Sequence, residues 1–224
     1  MKKIFRQKNS VLLILAVLFS FASFSQNEKK AKALLDVVSK KMSAYENMTI
    51  EFSSSLVNEE AGIKEGDEAP ITGKIILQKE KYYLDYLGNT FIFDSKNLYV
   101  INNEDKEVTI SNGDIDEDDG FIYPSKLLTF YKEGYHFSWG SLMTEKGKKI
   151  QYVNLIPIDS TSDIKNVQLA VNTQTNHIFK LIQTGSNGAK TTLSITTFKS
   201  NQVVSDKLFS FDKEKYLQLD YIID

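Results

Sequence analysis

The sequence predicts an α+β fold that is mainly β: a large curved antiparallel sheet, an unclosed half-barrel of about eleven strands, covered by an N-terminal and a central helix. Three observations predict it. Short β-like segments follow one another almost without pause, between turns rich in Gly, Asn and Ser. Two amphipathic helical patterns accompany them and need an apolar surface to cover. A sheet of that many strands curls as its twist accumulates, and its concave face supplies such a surface.

The first helical pattern comes from Ala31, Leu34, Leu35, Val38, Met42 and Tyr45, which recur at steps of three and four with Lys30, Asp36, Lys40 and Lys41 between them. This spacing predicts a helix over about Glu28 to Tyr45. Strands are then expected at Thr49–Val57, Ile71–Lys79, Lys81–Leu87, Thr90–Asp94, Asn97–Asn102 and Glu107–Ile110, with an acidic loop from Asn58 to Ala69 after the first. Alternation is clearest in Lys81–Leu87, where Tyr82, Leu84 and Tyr86 share one face and Asp85 takes the other. Pro124 suits the first turn of a second helix and Gly134 the position past its end, with Leu127, Leu128 and Tyr131 on one face. Five more strands follow, at Tyr135–Trp139, Ile150–Ile156, Ile164–Asn172, His177–Thr184 and Ala189–Phe198. The tail from Lys207 to Asp224 is too mixed for an assignment.

The first residues have the layout of a secretory signal. Lys2, Lys3, Arg6 and Lys8 form a positive segment, Val11–Phe21 is an almost unbroken apolar run, and Ser23 and Ser25 stand three and one before a cleavage point. The apolar run is short of the roughly 20 residues that span a bilayer. Residues 1–25 are therefore expected to be a signal peptide, and 26–224 a single exported domain. There is no cysteine, so neither a disulfide nor a lipid-bearing cysteine is expected. The net charge of −2 argues against nucleic acid as a partner.

The catalytic inventory is poor, and no enzyme is expected. His136 and His177 are the only histidines, and no G-x-S-x-G turn exists to seat a nucleophile. Both are expected to be outward-facing surface residues. Asp114, Asp116 and Asp118 have the one-three-five spacing of a calcium loop, but Asp119 and Ser125 stand where glycine and glutamate are needed. An exposed acidic loop is the expectation there. No metal or cofactor site is expected.

Several short motifs, taken in order, resemble the LolA family of periplasmic outer-membrane lipoprotein carriers. They are Tyr45-Glu46-Asn47-Met48 followed by Phe52; Gly73-Lys74-Ile75-Ile76-Leu77-Gln78-Lys79 followed by Lys81-Tyr82-Tyr83-Leu84-Asp85-Tyr86; Phe93-Asp94-Ser95-Lys96-Asn97-Leu98-Tyr99-Val100; Pro124-Ser125-Lys126-Leu127-Leu128; and Leu155-Ile156-Pro157. The resemblance spans most of Lys30 to Phe211. It implies an unclosed barrel with a helical lid over an apolar cavity. It also implies a cargo of lipoprotein or lipid, a donor in an inner-membrane ATP-driven transporter, and an acceptor at the outer membrane. The family's lid-latching Arg aligns with Lys79, whose flexible point charge lacks Arg's planar fork. Ser95 replaces the glycine of the family's D-G-K segment. These departures leave room for a paralogue that carries another lipid.

A carrier needs apolar walls rather than reactive groups. The residues expected to line the cavity are Leu34, Val38 and Met42 from the first helix, Leu77, Tyr82, Leu84 and Tyr86 from the sheet, and Leu128 and Tyr131 from the second helix. Plain core packing is the competing role for each. Three fully buried acyl chains would contribute about 30 kcal/mol by area, more than the roughly 20 kcal/mol that non-covalent binding reaches. A usable carrier must bury its cargo incompletely or open its lid. The alternative functions are an envelope sensor and a helper that binds a glycolipid or pigment lipid; a sensor should need a second domain. A monomer is expected.

Overall fold

A computed structural model describes residues 26–113 and 126–224. The first helix, α1, covers residues 26–43. It buries Ala31, Leu35, Val38 and Met42, the expected apolar stripe, and leaves the intervening Lys and Asp side chains in water.

Among the described residues twelve strands form one sheet. In chain order they are β1 Met48–Val57, β2 Ile71–Gln78, β3 Lys81–Tyr86, β4 Asn89–Phe93, β5 Asn97–Asn102 and β6 Glu107–Asn112, then β7 Tyr135–Glu145, β8 Lys148–Pro157, β9 Ile164–Asn172, β10 His177–Gly185, β11 Lys190–Ser200 and β12 Ile222–Ile223. Across the sheet the order is β12-β6-β5-β4-β3-β2-β1-β11-β10-β9-β8-β7. Every neighbour is antiparallel except β12, which runs parallel to β6. The eleven expected strands are all present, with ends shifted by a few residues. The twelfth comes from the tail.

The principal core lies on the concave face, where α1 meets Met48, Leu77, Tyr82, Phe93, Val153, Leu155 and Leu169. A second cluster lies on the convex face. There the tail, through Phe211, Tyr216, Tyr221 and Ile223, covers Ile92, Ile101 and Val108 together with Tyr83 and Tyr99. Phe211 stacks on Tyr99 and Tyr216 in turn, at centroid distances of 4.8 and 5.1 Å. The tail carries a 3-10 turn at Asp206–Phe209 and a short helix, α2, at Lys213–Gln218 capped by Asp212.

The central helical pattern is described only from residue 126 onward. That part is a turn leading into a 3-10 turn at Phe130–Lys132, followed by Gly134 at φ 81°. The acidic run from Asp114 to Ser125, including Pro124, lies outside the described residues.

Candidate functional site

The inner face of β1 presents Ile50, Phe52 and Ser54, which pair with Ile75, Gly73 and Ile71 of β2 on the same side. A bulge between Glu51 and Phe52 in the pairing with β11 sets the outer half of β1 in a shifted register. No residue of α1 lines the space on this part of the inner face. The space there is an apolar cavity, part of it open to solvent. Its walls are Ile50 and Phe52 of β1, Ile75 of β2, Leu84 and Tyr86 of β3, Ile178 and Leu181 of β10, and Leu193 and Ile195 of β11. Leu127, ahead of the 3-10 turn, closes one side. Every wall is aliphatic or aromatic.

The apolar inner face continues past the cavity. Ile71 of β2 and Leu56 near the end of β1 lie at the uncovered end of the strands and are 43% and 42% exposed. Among the described residues nothing covers the apolar face toward the β1–β2 end, beside the acidic loop that joins those strands.

The residues picked out by sequence pattern occupy three places. Leu84 and Tyr86 line the cavity. Val38, Leu128 and Tyr131 line a narrow crevice between α1, the turn at residues 126–132 and the sheet. Leu127 and Ile178 border both spaces. Met42, Leu77 and Tyr82 are packed in the core under α1, and Leu34 is half-buried against it. Lys79 is exposed in the β2–β3 turn at φ 57°. The walls from β1, β2, β10 and β11 were not among the residues expected to line the cavity. For β11 the signal is visible afterwards in Leu193-Ser194-Ile195, where two apolar residues alternate with a polar one amid threonines.

Polar links fasten the cover, among them Lys41 of α1, which donates to the Thr175 carbonyl at 2.7 Å. Tyr131 donates a hydrogen bond to Asp36 Oδ1 at 3.0 Å, tying the central turn to α1. Lys32 bonds the same carboxylate at 2.8 Å and is the main reason its pKa is lowered. Burial raises the Tyr131 hydroxyl to about 12, so it stays a donor. At the far end of α1, Tyr45 and His177 share a hydrogen bond at 2.9 Å, and the His177 ring packs on Phe198 at 4.3 Å. His177 is thus half-buried between α1 and the sheet, not the outward residue the sequence suggested. Burial, with Lys41 nearby, lowers its pKa. His136 is exposed, 3.8 Å from Glu28. Among the described residues no group of His, Asp and Glu converges as a metal site requires.

An open half-barrel with an apolar cavity, open on one side, suits the binding of an apolar chain. The family described as outer membrane lipoprotein carrier protein LolA matches residues 83–212, more than half of the chain, and the protein belongs to that family. No curated protein matches the sequence. Among solved structures, an uncharacterized conserved protein from Thermus thermophilus is similar at TM-score 0.57 and 10% identity, over 87% of this chain and 98% of that one. A putative outer membrane lipoprotein-sorting protein domain from Vibrio parahaemolyticus is similar at TM-score 0.45 and 12% identity, over 83% and 99%. A LolA superfamily protein from Nitrosomonas europaea follows at TM-score 0.42 and 11% identity, over 82% and 98%. Among the described residues no helix is long and apolar enough to cross a membrane.

Proposed function

We propose that this protein is a periplasmic carrier that holds acyl chains of a lipoprotein or lipid in the cavity between β1–β3 and β10–β11. The observation that carries the reading is the cavity's wholly apolar wall in a chain of the LolA family. Burial of a chain there is driven by removing its methylenes from water, about 0.8 kcal/mol for each. The open side leaves part of the cargo in solvent, which keeps binding reversible. The crevice lined by Val38, Leu128 and Tyr131 lies under the cover, so movement of the turn at residues 126–132 would join it to the cavity through Leu127 and Ile178. Leu34, Met42, Leu77 and Tyr82 act in this account by seating α1, while Leu84 and Tyr86 touch cargo.

The finer steps extend the same proposal. Residues 1–25 direct export and are removed, an inner-membrane transporter loads the cargo, and an acceptor at the outer membrane takes it. Lys79 is the lid-latch candidate, and the protein acts as a monomer without cofactor or catalysis. Native mass spectrometry of protein purified from its own periplasm tests the reading. Lipid or lipoprotein should copurify on a chain beginning near Gln26. A chain that emerges empty and fails to take up an acyl probe would overturn it.

A further inference from the structure

The two edges of the sheet are treated differently. The β6 edge is covered by the chain's own β12, with Ile222 opposite Glu107 and Ile223 opposite Val108. Among the described residues the other edge, β7, pairs only with β8. It is eleven residues long and ends in a tight turn at Lys146-Gly147, both at positive φ. A bulge between Trp139 and Leu142 bends it, held by the Gln151 amide donating to the Gly140 carbonyl at 2.8 Å.

Apolar side chains crowd this edge. Leu142 is 61% exposed, Met143 51% and Trp139 37%. Leu142 and Met143 project to opposite faces of the hairpin, so no single groove of the protein could cover both. Beside them Lys146, Lys148 and Lys149 are exposed. The carboxylate within the tip, Glu145, is engaged by Lys180 at 2.8 Å and by the Tyr152 hydroxyl. The corner is therefore locally basic in a chain of net charge −2. The acidic β1–β2 loop lies at the opposite end of the strands, as the registers from β8 through β11 to β1 require.

Lysines alone would be ordinary protection of a sheet edge. Protection does not explain leucine and methionine next to them, because apolar residues on a free edge invite association. We propose that the β7–β8 hairpin is a docking element for an anionic lipid surface. Leu142 and Met143 enter the interface from either side of the hairpin, lysines meet the headgroup phosphates, and Trp139 sits at headgroup depth, where indole rings are favoured. Charge decides the occupant: a basic, apolar tip fits an anionic bilayer. No hairpin residue lines the cavity, so docking is separable from cargo binding and does not rest on it.

The chain has one tryptophan, and its emission reports directly on this edge. The test is flotation with vesicles of phosphatidylethanolamine and phosphatidylglycerol, compared with pure phosphatidylcholine, while tryptophan emission is followed. Binding to the anionic vesicles is expected, with a blue shift that fades as salt rises. The combined Lys146→Glu, Lys148→Glu and Lys149→Glu variant should bind at least about tenfold more weakly, given about fivefold for each lysine near such a surface. Leu142→Ser with Met143→Ser should lose the blue shift. Both variants should keep the wild-type circular dichroism and uptake of an acyl probe. Absence of flotation by wild type, or flotation unchanged in both variants, overturns the proposal. So does a preference of the lysine corner for polyglutamate with no response to vesicles, which would mark an acidic polypeptide as the partner.

Discussion

The Phe52 ring lies across Gly73 on the neighbouring strand, so that a Cβ on Gly73 would come within 2.8 Å of Phe52 Cε2. The ring also meets Tyr86 at 5.5 Å, and both line the cavity. Glycine at position 73 is thus what lets Phe52 lie flat against the wall. Gly73→Ala should push the ring into the cavity and cost about 1–3 kcal/mol from overpacking. Acyl-probe affinity should fall along with the melting temperature, whereas Thr72→Ala, one position away on the same strand, should leave affinity unchanged. Probe titration and thermal melting on the two variants check this.

Val38 is 3% exposed and packs under the cover. Val38→Glu places a carboxylate there without a partner, and a loss of about 3 kcal/mol or more is expected, enough to threaten folding. Leu193→Glu should be milder, because Leu193 is only partly buried and faces the cavity, where the carboxylate can reach water. That variant should remain folded and lose acyl binding. Chemical denaturation measured beside probe binding separates the two behaviours.

His177 links α1 to the sheet and titrates with its pKa lowered below 6.5 by burial. The unfolded chain binds its proton at a higher pH than the folded chain does. The stability it contributes is therefore complete above pH 6.5 and is lost as pH falls from there through the folded value. Melting temperature should decline across that window in the wild type and less in His177→Gln. An equal decline in both would show that the contact between α1 and β10 does not sense pH.

Much of the fold was legible because period carries burial. In α1 the steps from Ala31 to Met42 mark the buried face, and in β3 the parity of Tyr82, Leu84 and Tyr86 marks the inner one. The tail was not legible, since Phe211, Tyr216 and Tyr221 follow no single period. The need for it could have been read elsewhere. Phe91-Ile92-Phe93 is apolar on both faces, so β4 must be covered on both sides, and the tail supplies the convex cover. Of the cavity's walls only Leu84 and Tyr86 were among the residues expected to line it. Pattern within one strand finds Leu84 and Tyr86, but Leu181, Leu193 and Ile195 join them only because the sheet curls until β10 and β11 face β3. That closure is set by register and bulge, which a stripe along one element does not encode.

The most direct test of the carrier account fills the cavity without charging or unfolding it. Ile195→Trp puts an indole into the space between β11 and β3, at a wall position that is only partly buried. Affinity for a fluorescent acyl probe, measured together with the melting temperature, is expected to fall about tenfold or more while stability changes by less than about 2 kcal/mol. A folded Ile195→Trp protein that binds the probe as tightly as the wild type would contradict the account, because the acyl chain would then lie elsewhere.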